Sequence, residues 1–386
     1  MKQDATQETT SHKIGLLPCL AFAVGTMIGG GVFTLSGVAV DEAGPSAIFG
    51  YVIAGVVMLM SALTFAAVAS RSKPGDSGYA AIGEILRPEW RFLTMWAFYL
   101  NAVTGMAFVL ISFGSYLRQY FLPTTSTTAA ALVAIVALAL LNLGPADIVG
   151  RAETFLVGLK VGILILLVVY GLVYVSPDDF APLAPQGGGS LLRVTAMLFT
   201  AYVGFNVVTN MAGSVRRPER TVPLAIILSI VISGVVYVGV IIALLASGVQ
   251  NFGEAGLGRA AEALMGAWGA VLVAFAACVS TLSSANASML GSSELMIKLA
   301  AQGDVAGRWG ALTRHKHPAA SVFLATAIVV VLIGLSDLDT AVALSNVAAI
   351  MAMLIVNVAA YKLARKGWPA PGMRLRGGIA LPVVAF

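Results

Sequence analysis

Ten apolar stretches run through this chain of 386 residues, at 14–40, 45–69, 92–117, 128–143, 155–175, 191–211, 222–245, 267–290, 319–335 and 340–360. About twenty apolar residues, each rising ~1.5 Å, cross a hydrocarbon core about 30 Å thick. A chain patterned in this way has the bilayer as its solvent. Composition agrees: 59% of residues are hydrophobic, 11% are charged and the mean hydropathy is +0.91, whereas soluble chains carry about 25% charged residues. This excludes a disordered chain, a secreted disulfide scaffold, a soluble enzyme and a nucleic-acid module. Cys19 and Cys278 both lie inside apolar stretches and read as small apolar helix residues. The expected fold class is an all-α polytopic membrane protein.

Basic residues collect in cytoplasmic loops, and here they fall on one set of alternate loops. Nineteen of the 23, among them Lys2, Lys13, Arg71, Arg217, Arg314 and Arg365, share a side with the amino terminus. Arg118, Arg193 and Arg259 occupy the other side, with the acidic pairs Asp41/Glu42, Asp178/Asp179 and Asp337/Asp339. The asymmetry predicts a multi-pass plasma-membrane protein with its N-terminus, a polar tail over 1–13, in the cytoplasm. Lys160 belongs to neither set. It lies about nine residues (~14 Å) inside the fifth span, deep enough that its four-carbon stem has difficulty reaching the interface.

Two spans are poor continuous helices. The first contains Gly25-Thr26-Met27-Ile28-Gly29-Gly30-Gly31, and each interior glycine costs roughly 1 kcal/mol relative to alanine. The competing reading of the glycines is a face for close helix packing. The sixth span contains Thr200-Ala201-Tyr202-Val203-Gly204-Phe205-Asn206, with a glycine among polar and β-branched residues. A broken helix offers carbonyls at the end of its first half and unpaired N–H groups at the start of its second. Interruptions five spans apart, at corresponding positions of two five-span halves, point to an inverted-repeat transporter with its substrate between the breaks.

At these residues the chain resembles the amino acid–polyamine–organocation superfamily. The resemblance rests on Gly25 to Phe33, on Tyr202 to Phe205 followed by Arg217-Pro218-Glu219-Arg220-Thr221-Val222-Pro223, and on Ser280 to Ser293 in the eighth span. Gly150-Arg151-Ala152-Glu153 followed by Lys160 is similar to the proton-coupled archaeal members, in which a lysine occupies the place of a sodium ion. The resemblance implies a LeuT-like fold of two inverted five-helix repeats, over 14–175 and 191–362, with helices 1 and 6 broken. A cytoplasmic loop and the start of an eleventh span would follow over 363–386, with further residues expected beyond Phe386. It also implies an amino acid substrate, probed by the breaks at Met27, Ile28, Gly29, Gly30 and Gly31 and at Thr200, Ala201, Val203 and Gly204. The amine would meet the carbonyls of Met27, Thr200 and Val203, and the carboxylate the N–H groups around Gly30 and Gly31. Where many relatives carry a serine, this chain has Gly30, so the carboxylate is left to the backbone. Lys160 would couple to protons by facing the Gly25 carbonyl and the Ser280 hydroxyl, with Thr281 nearby. No cofactor beyond the coupling proton is implied. The partners are the amino acid and the lipid bilayer, without nucleic acid; oligomeric state is not legible.

Other residues carry less. Tyr202 and Phe205 fit either aromatic gates over a pocket or ordinary packing. His315 and His317 have no carboxylate or cysteine beside them, which argues against a metal site. Glu294 and Lys298 are spaced i,i+4 in the favourable order for a helix ion pair. The sequon at Asn286 lies within a span. No phosphate loop, nucleophile elbow or zinc motif is present. A transporter is therefore the leading expectation, ahead of an amino acid sensor of the same fold or an intramembrane enzyme, with exchange the close competitor of proton symport.

Overall fold

The computed structural model describes residues 15–71, 78–143, 149–205, 215–216, 218–312, 318–368 and 382. The tail 1–13, Asn206 and the rest of the sixth span, Arg217, both loop histidines and nearly all of the eleventh span lie outside the described residues. Among those described, the regular structure is helical, without strands. The first span is split into α1 (Leu16–Met27), a π-helical turn (Gly31–Leu35) and α2 (Ser36–Ala43). There follow α3 (Ala47–Ala69), α4 (Ala80–Ile85), α5 (Pro88–Tyr120), α6 (Thr127–Asn142) and α7 (Val149–Tyr174). The sixth span opens with α8 (Gly188–Leu198), and α9 (Pro218–Ala246), α10 (Gly256–Met265), α11 (Ala267–Ala301), α12 (Ala319–Leu335) and α13 (Leu338–Arg365) complete the chain.

Among the described residues, six helical runs can cross a membrane by length and composition: Gly31–Ala69, Pro88–Tyr120, Leu156–Tyr174, Arg220–Ala246, Ala267–Ala301 and Leu338–Arg365. Three more apolar helices, Leu16–Met27, Thr127–Asn142 and Ala319–Leu335, are shorter. Several helices outrun the apolar stretches that announce them. Helix α5 begins on Pro88, whose fixed φ suits the first helical position, and carries Glu89 in its first turn. Helix α11 continues through the Glu294–Lys298 ion pair, 2.8 Å. It stops where Gly303 takes φ +77° and Asp304 N–H donates back to the Leu299 carbonyl at 3.0 Å, a glycine-terminated helix end. Helix ends lie beyond the hydrophobic core, so hydropathy marks the lipid-facing length and not the hydrogen-bonded one.

Burial sorts the helices by role. Helix α5 is the central post, packed against α6, α11, α12 and α13, and 78% of its most apolar window is buried, against 33% for α7. Buried polar groups need partners, and α5 supplies them across its neighbours: Asn101 donates to Ser345 on α13. Helix α7 instead leaves Ile165, Val169, Leu172 and Val173 exposed, the pattern of a helix whose outer face meets lipid. Helix α1 packs against α9 and α7. The multi-pass membrane fold thus surrounds both interruptions with helices.

Candidate substrate and coupling site

The first interruption is a turn centred on Ile28 and Gly29. Ile28 N–H donates to the Val24 carbonyl at 2.8 Å and Gly29 N–H to the Met27 carbonyl at 2.9 Å. Ile28 has φ −77° and ψ +78°, whereas Gly30 is already helical at φ −54°, ψ −28°. The helix therefore restarts within the glycine run. The three glycines have a further cause, which is close approach on three sides. A Cβ on Gly29 would overlap the Ser284 hydroxyl of α11, one on Gly30 would lie 2.8 Å from Val109 of α5, and one on Gly31 would lie 2.9 Å from the Ala201 Cα. Both expectations for the glycines, a broken helix and a packing face, describe the same residues.

The second interruption follows α8 through a 3-10 turn at Phe199–Tyr202. Val203 is extended, with φ −68° and ψ +133°, and its N–H donates to the Thr200 carbonyl at 3.1 Å. Gly204 takes φ +143°, a conformation nearly closed to other residues. There a Cβ would lie 2.9 Å from Thr26 Oγ1 and 3.2 Å from Met27 N. The two breaks thus touch twice, Gly31 on Ala201 and Gly204 on Thr26, and the Thr26 hydroxyl lies 3.2 Å from the Gly204 carbonyl.

The carbonyls named for the amine are placed as follows. The Tyr237 hydroxyl on α9 lies 2.8 Å from the carbonyl of Met27 and 2.8 Å from that of Ala201. With Gly29 N–H already on Met27, that carbonyl has both lone-pair directions engaged whenever the Tyr237 proton turns to it. Thr200 likewise accepts from Val203. An ammonium group would share or displace the Tyr237 proton, since one hydroxyl hydrogen lies between two carbonyls. On the opposite side of the break, the N–H groups of Gly30 and Gly31 open a helix and have no helical acceptor behind them. Their partial positive charge suits a carboxylate.

Lys160 is 1% exposed, and its Nζ donates to the Gly25 carbonyl at 2.6 Å. The resemblance implied this contact, and the packing shows how it arises: a Cβ on Gly25 would overlap Val157, one turn before Lys160 on the same face of α7. The Ser280 hydroxyl donates to the Ile28 carbonyl at 2.9 Å, which leaves its oxygen lone pairs as acceptors. Thr281 turns back onto its own helix, to the carbonyls of Ala277 at 2.8 Å and Cys278 at 3.0 Å. The end of α1 is thereby tied to α7 through Gly25 and to α11 through Ile28.

Both aromatic candidates are packed. The Tyr202 hydroxyl donates to the Tyr51 carbonyl at 3.0 Å, and its ring stands edge-on to Tyr51 and Tyr237 at centroid distances of 6.3 and 5.2 Å. Phe205 is fully buried, its ring 6.1 Å from Phe65.

The family model described as amino acid permease matches residues 14–386. The chain belongs to the amino acid permease family. Among similar proteins, an uncharacterized protein of Methanocaldococcus jannaschii is 30% identical, over 77% of this chain and 71% of that protein. A branched-chain amino acid permease of Bacillus subtilis is 24% identical, over 98% of this chain and 88% of its own length. A methylthioribose transporter of the same organism is 24% identical, over 89% and 79%. The two Bacillus subtilis relatives are named as a permease and a transporter, not as enzymes.

One central residue of this permease escaped the sequence reading. Tyr237 bridges the two breaks, and Ser233 on the same face points to the Met27 sulfur at 3.6 Å. Its signal was present as Ser229, Ser233 and Tyr237, a polar stripe at i, i+4 and i+8 within an otherwise apolar span.

Proposed function

We propose that this permease takes up neutral, zwitterionic amino acids by proton symport through alternating access. It would do so on a frame of two inverted five-helix repeats, with its N-terminus in the cytoplasm. The observation that carries the coupling is the buried Lys160 ammonium on the Gly25 carbonyl, at the end of α1. Burial makes a lysine's charge dependent on its partners. Protonated, Lys160 holds α1 to α7; deprotonated, it loses the charge and a donor, and α1 is released to change access. The break N–H groups and carbonyls neutralise both charges of an amino acid backbone. The described residues of the breaks carry no carboxylate for a cationic side chain, and an unpaired charge at this depth costs at least ~2.5–3.5 kcal/mol.

Uptake into proteoliposomes is the test. An inward pH gradient should concentrate a neutral amino acid without sodium, and Lys160→Ala should lose that accumulation. Full accumulation by Lys160→Ala, or an absolute sodium requirement, would sink the coupling and favour exchange or sodium symport. Impermeant labelling of a cysteine at 308 from outside intact cells would overturn the orientation.

A further inference from the structure

We infer that the open groove between the end of α5 and the first turns of α11 binds one anionic phospholipid, with an acyl chain laid along α11 and the phosphate on Arg118. The groove offers about 600 Å³ and is lined by Phe121, which ends α5, and by Ala267, Trp268, Val271, Leu272 and Phe275 of α11. Small-molecule sites span roughly 300–1,000 Å³. The α11 residues recur at i, i+4 and i+8 on one face of the helix, and Ser280, which ties α11 to the first break, stands on another. From Trp268 to Phe275 the groove runs ~10 Å along the helix axis.

Its walls differ from the lipid-facing side of α7. That side is aliphatic, through Ile165, Val169, Leu172 and Val173, whereas here Phe121, Trp268 and Phe275 stand exposed around a cleft. The Trp268 ring is braced by Tyr170 of α7, edge-on at a centroid distance of 6.3 Å. A tryptophan at the end of a span sits at headgroup level. The groove therefore opens at the interface and runs into the hydrocarbon, as a chain hung from its head requires. An apolar cleft gives water no hydrogen-bond partners, and an acyl chain is the filler that a bilayer supplies.

Lipid tails are as apolar as the groove, so the chain alone selects nothing and the head decides which lipid stays. The basic residues on this side of the bundle are Arg118, Arg193 and Arg259. Arg193 is paired with Glu42 at 2.9 Å, and Arg259 donates to the Asn251 carbonyl at 2.7 Å. Arg118 is exposed, and its side chain has no partner among the described residues. It stands one turn before Phe121 on the same face of α5. Of the acids on adjoining elements, Glu254 accepts from Ser115, one turn deeper, and Glu262 lies with Arg259 beside Tyr120, round the helix from Arg118. Neither forms an ion pair with Arg118. A free guanidinium offers parallel N–H donors to phosphate oxygens, and a head with net negative charge brings no ammonium in need of a carboxylate.

Trp268 is the built-in reporter. With the intact protein in phosphatidylcholine vesicles, acyl-brominated phosphatidylglycerol and acyl-brominated phosphatidylcholine are added at equal mole fractions, and the difference from Trp268→Phe isolates the quenching of that ring. Phosphatidylglycerol should quench it with about fivefold higher affinity, the size of effect one basic residue supplies at an anionic lipid surface. Arg118→Gln should bring the ratio towards one. Val271→Phe, which fills the groove, should weaken quenching by both lipids, whereas Val169→Phe on the exposed face of α7 should leave it unchanged. Equal quenching by the two lipids in the wild type, a comparison that needs no groove variant, overturns the site. So does a preference that survives Arg118→Gln. Quenching by neither lipid, together with crosslinking between molecules through a cysteine at 271, would make the groove an interface between copies and overturn it as well. The readout involves no transport, so it stands or falls apart from the coupling proposed above.

Discussion

The two halves of the interrupted first helix are held in different ways. The half after the break, Gly31–Ala43, outer on the orientation proposed above, is strapped along its whole length. Tyr116 and Ser112 of α5 bond to Phe33 and Thr34, Tyr51 of α3 meets Ser36 at 2.8 Å, and Asp41 accepts from Phe252 and Gly253 at 2.8 and 2.7 Å. In the inner half, α1, apolar packing buries Cys19 and Ala23, but the side-chain hydrogen bonds from other elements gather at one end. Among the described residues, the side-chain bonds joining it to α7, α9, α11 and the second break all fall between Gly25 and Ile28. Towards its start no side-chain hydrogen bond to another element is seen among the described residues, and Leu17 is 76% exposed while Cys19 is packed by apolar contact alone. A rod fastened along its length resists tilting, and a rod fastened at one end pivots about it. On the alternating-access reading proposed above, the difference makes α1 the half expected to move, with the break as its hinge and Lys160 and Tyr237 as its fasteners.

The largest effect should come from forcing the hinge itself apart. Gly31→Leu places a Cβ 2.9 Å from the Ala201 Cα, a backbone atom that cannot rotate away. Overpacking of this kind costs roughly 1–3 kcal/mol, and here it also separates the two breaks. Uptake should be abolished and the melting temperature in detergent lowered. Gly29→Ala, which meets the Ser284 side chain, should be milder because that side chain can turn. Normal uptake by Gly31→Leu would show that the breaks need not touch.

A smaller effect should separate the two halves directly. Tyr237→Phe removes the hydroxyl between Met27 and Ala201 and keeps the ring, a loss of about 0.5–1.5 kcal/mol. In a background lacking Cys19 and Cys278, a cysteine at the buried Ala23 position should label several times faster. One at the equally buried Ala39 position, on the outer half, should not change. Equal acceleration at both sites would mean that the halves move together.

How much of this was legible depends on whether a residue declares itself by cost. Lys160 and the glycine run are expensive in an apolar helix, so both stood out without a structure. What the glycines face did not, because contacts with α5, α11 and the second break are set by chain segments about 80 to 250 residues away. Tyr237 was hidden for the opposite reason: a tyrosine in a span reads as ordinary packing until its hydroxyl has an address. Helix α10 falls between the apolar stretches. Its apolar face, Leu257, Ala260, Ala261 and Leu264, is buried against the bundle, but ten amphipathic residues fall below any membrane-span threshold. The resemblance supplied the pairing of Lys160 with Gly25, but not the bond from Ser280 to Ile28, which depends on where the turn leaves the Ile28 carbonyl.

The smallest effect should come from loosening the outer half at its far end. Each carboxylate oxygen of Asp41 accepts one backbone N–H, from Phe252 and from Gly253. Asp41→Asn keeps one acceptor and turns an N–H₂ group towards the other donor, so one bond is lost and the other is retained without its charge. Exchanging a charge-assisted bond for a neutral one costs more than losing a neutral bond at the surface, but water reaches Gly253 and softens the loss. A destabilisation under about 1 kcal/mol is expected. Hydrogen exchange should rise at the amides of 252 and 253 while labelling at the Ala23 position stays at the wild-type rate, because three further straps still hold the outer half. If Asp41→Asn instead slowed uptake more than Tyr237→Phe does, the outer half would be the moving one and the assignment of the hinge would have to be reversed.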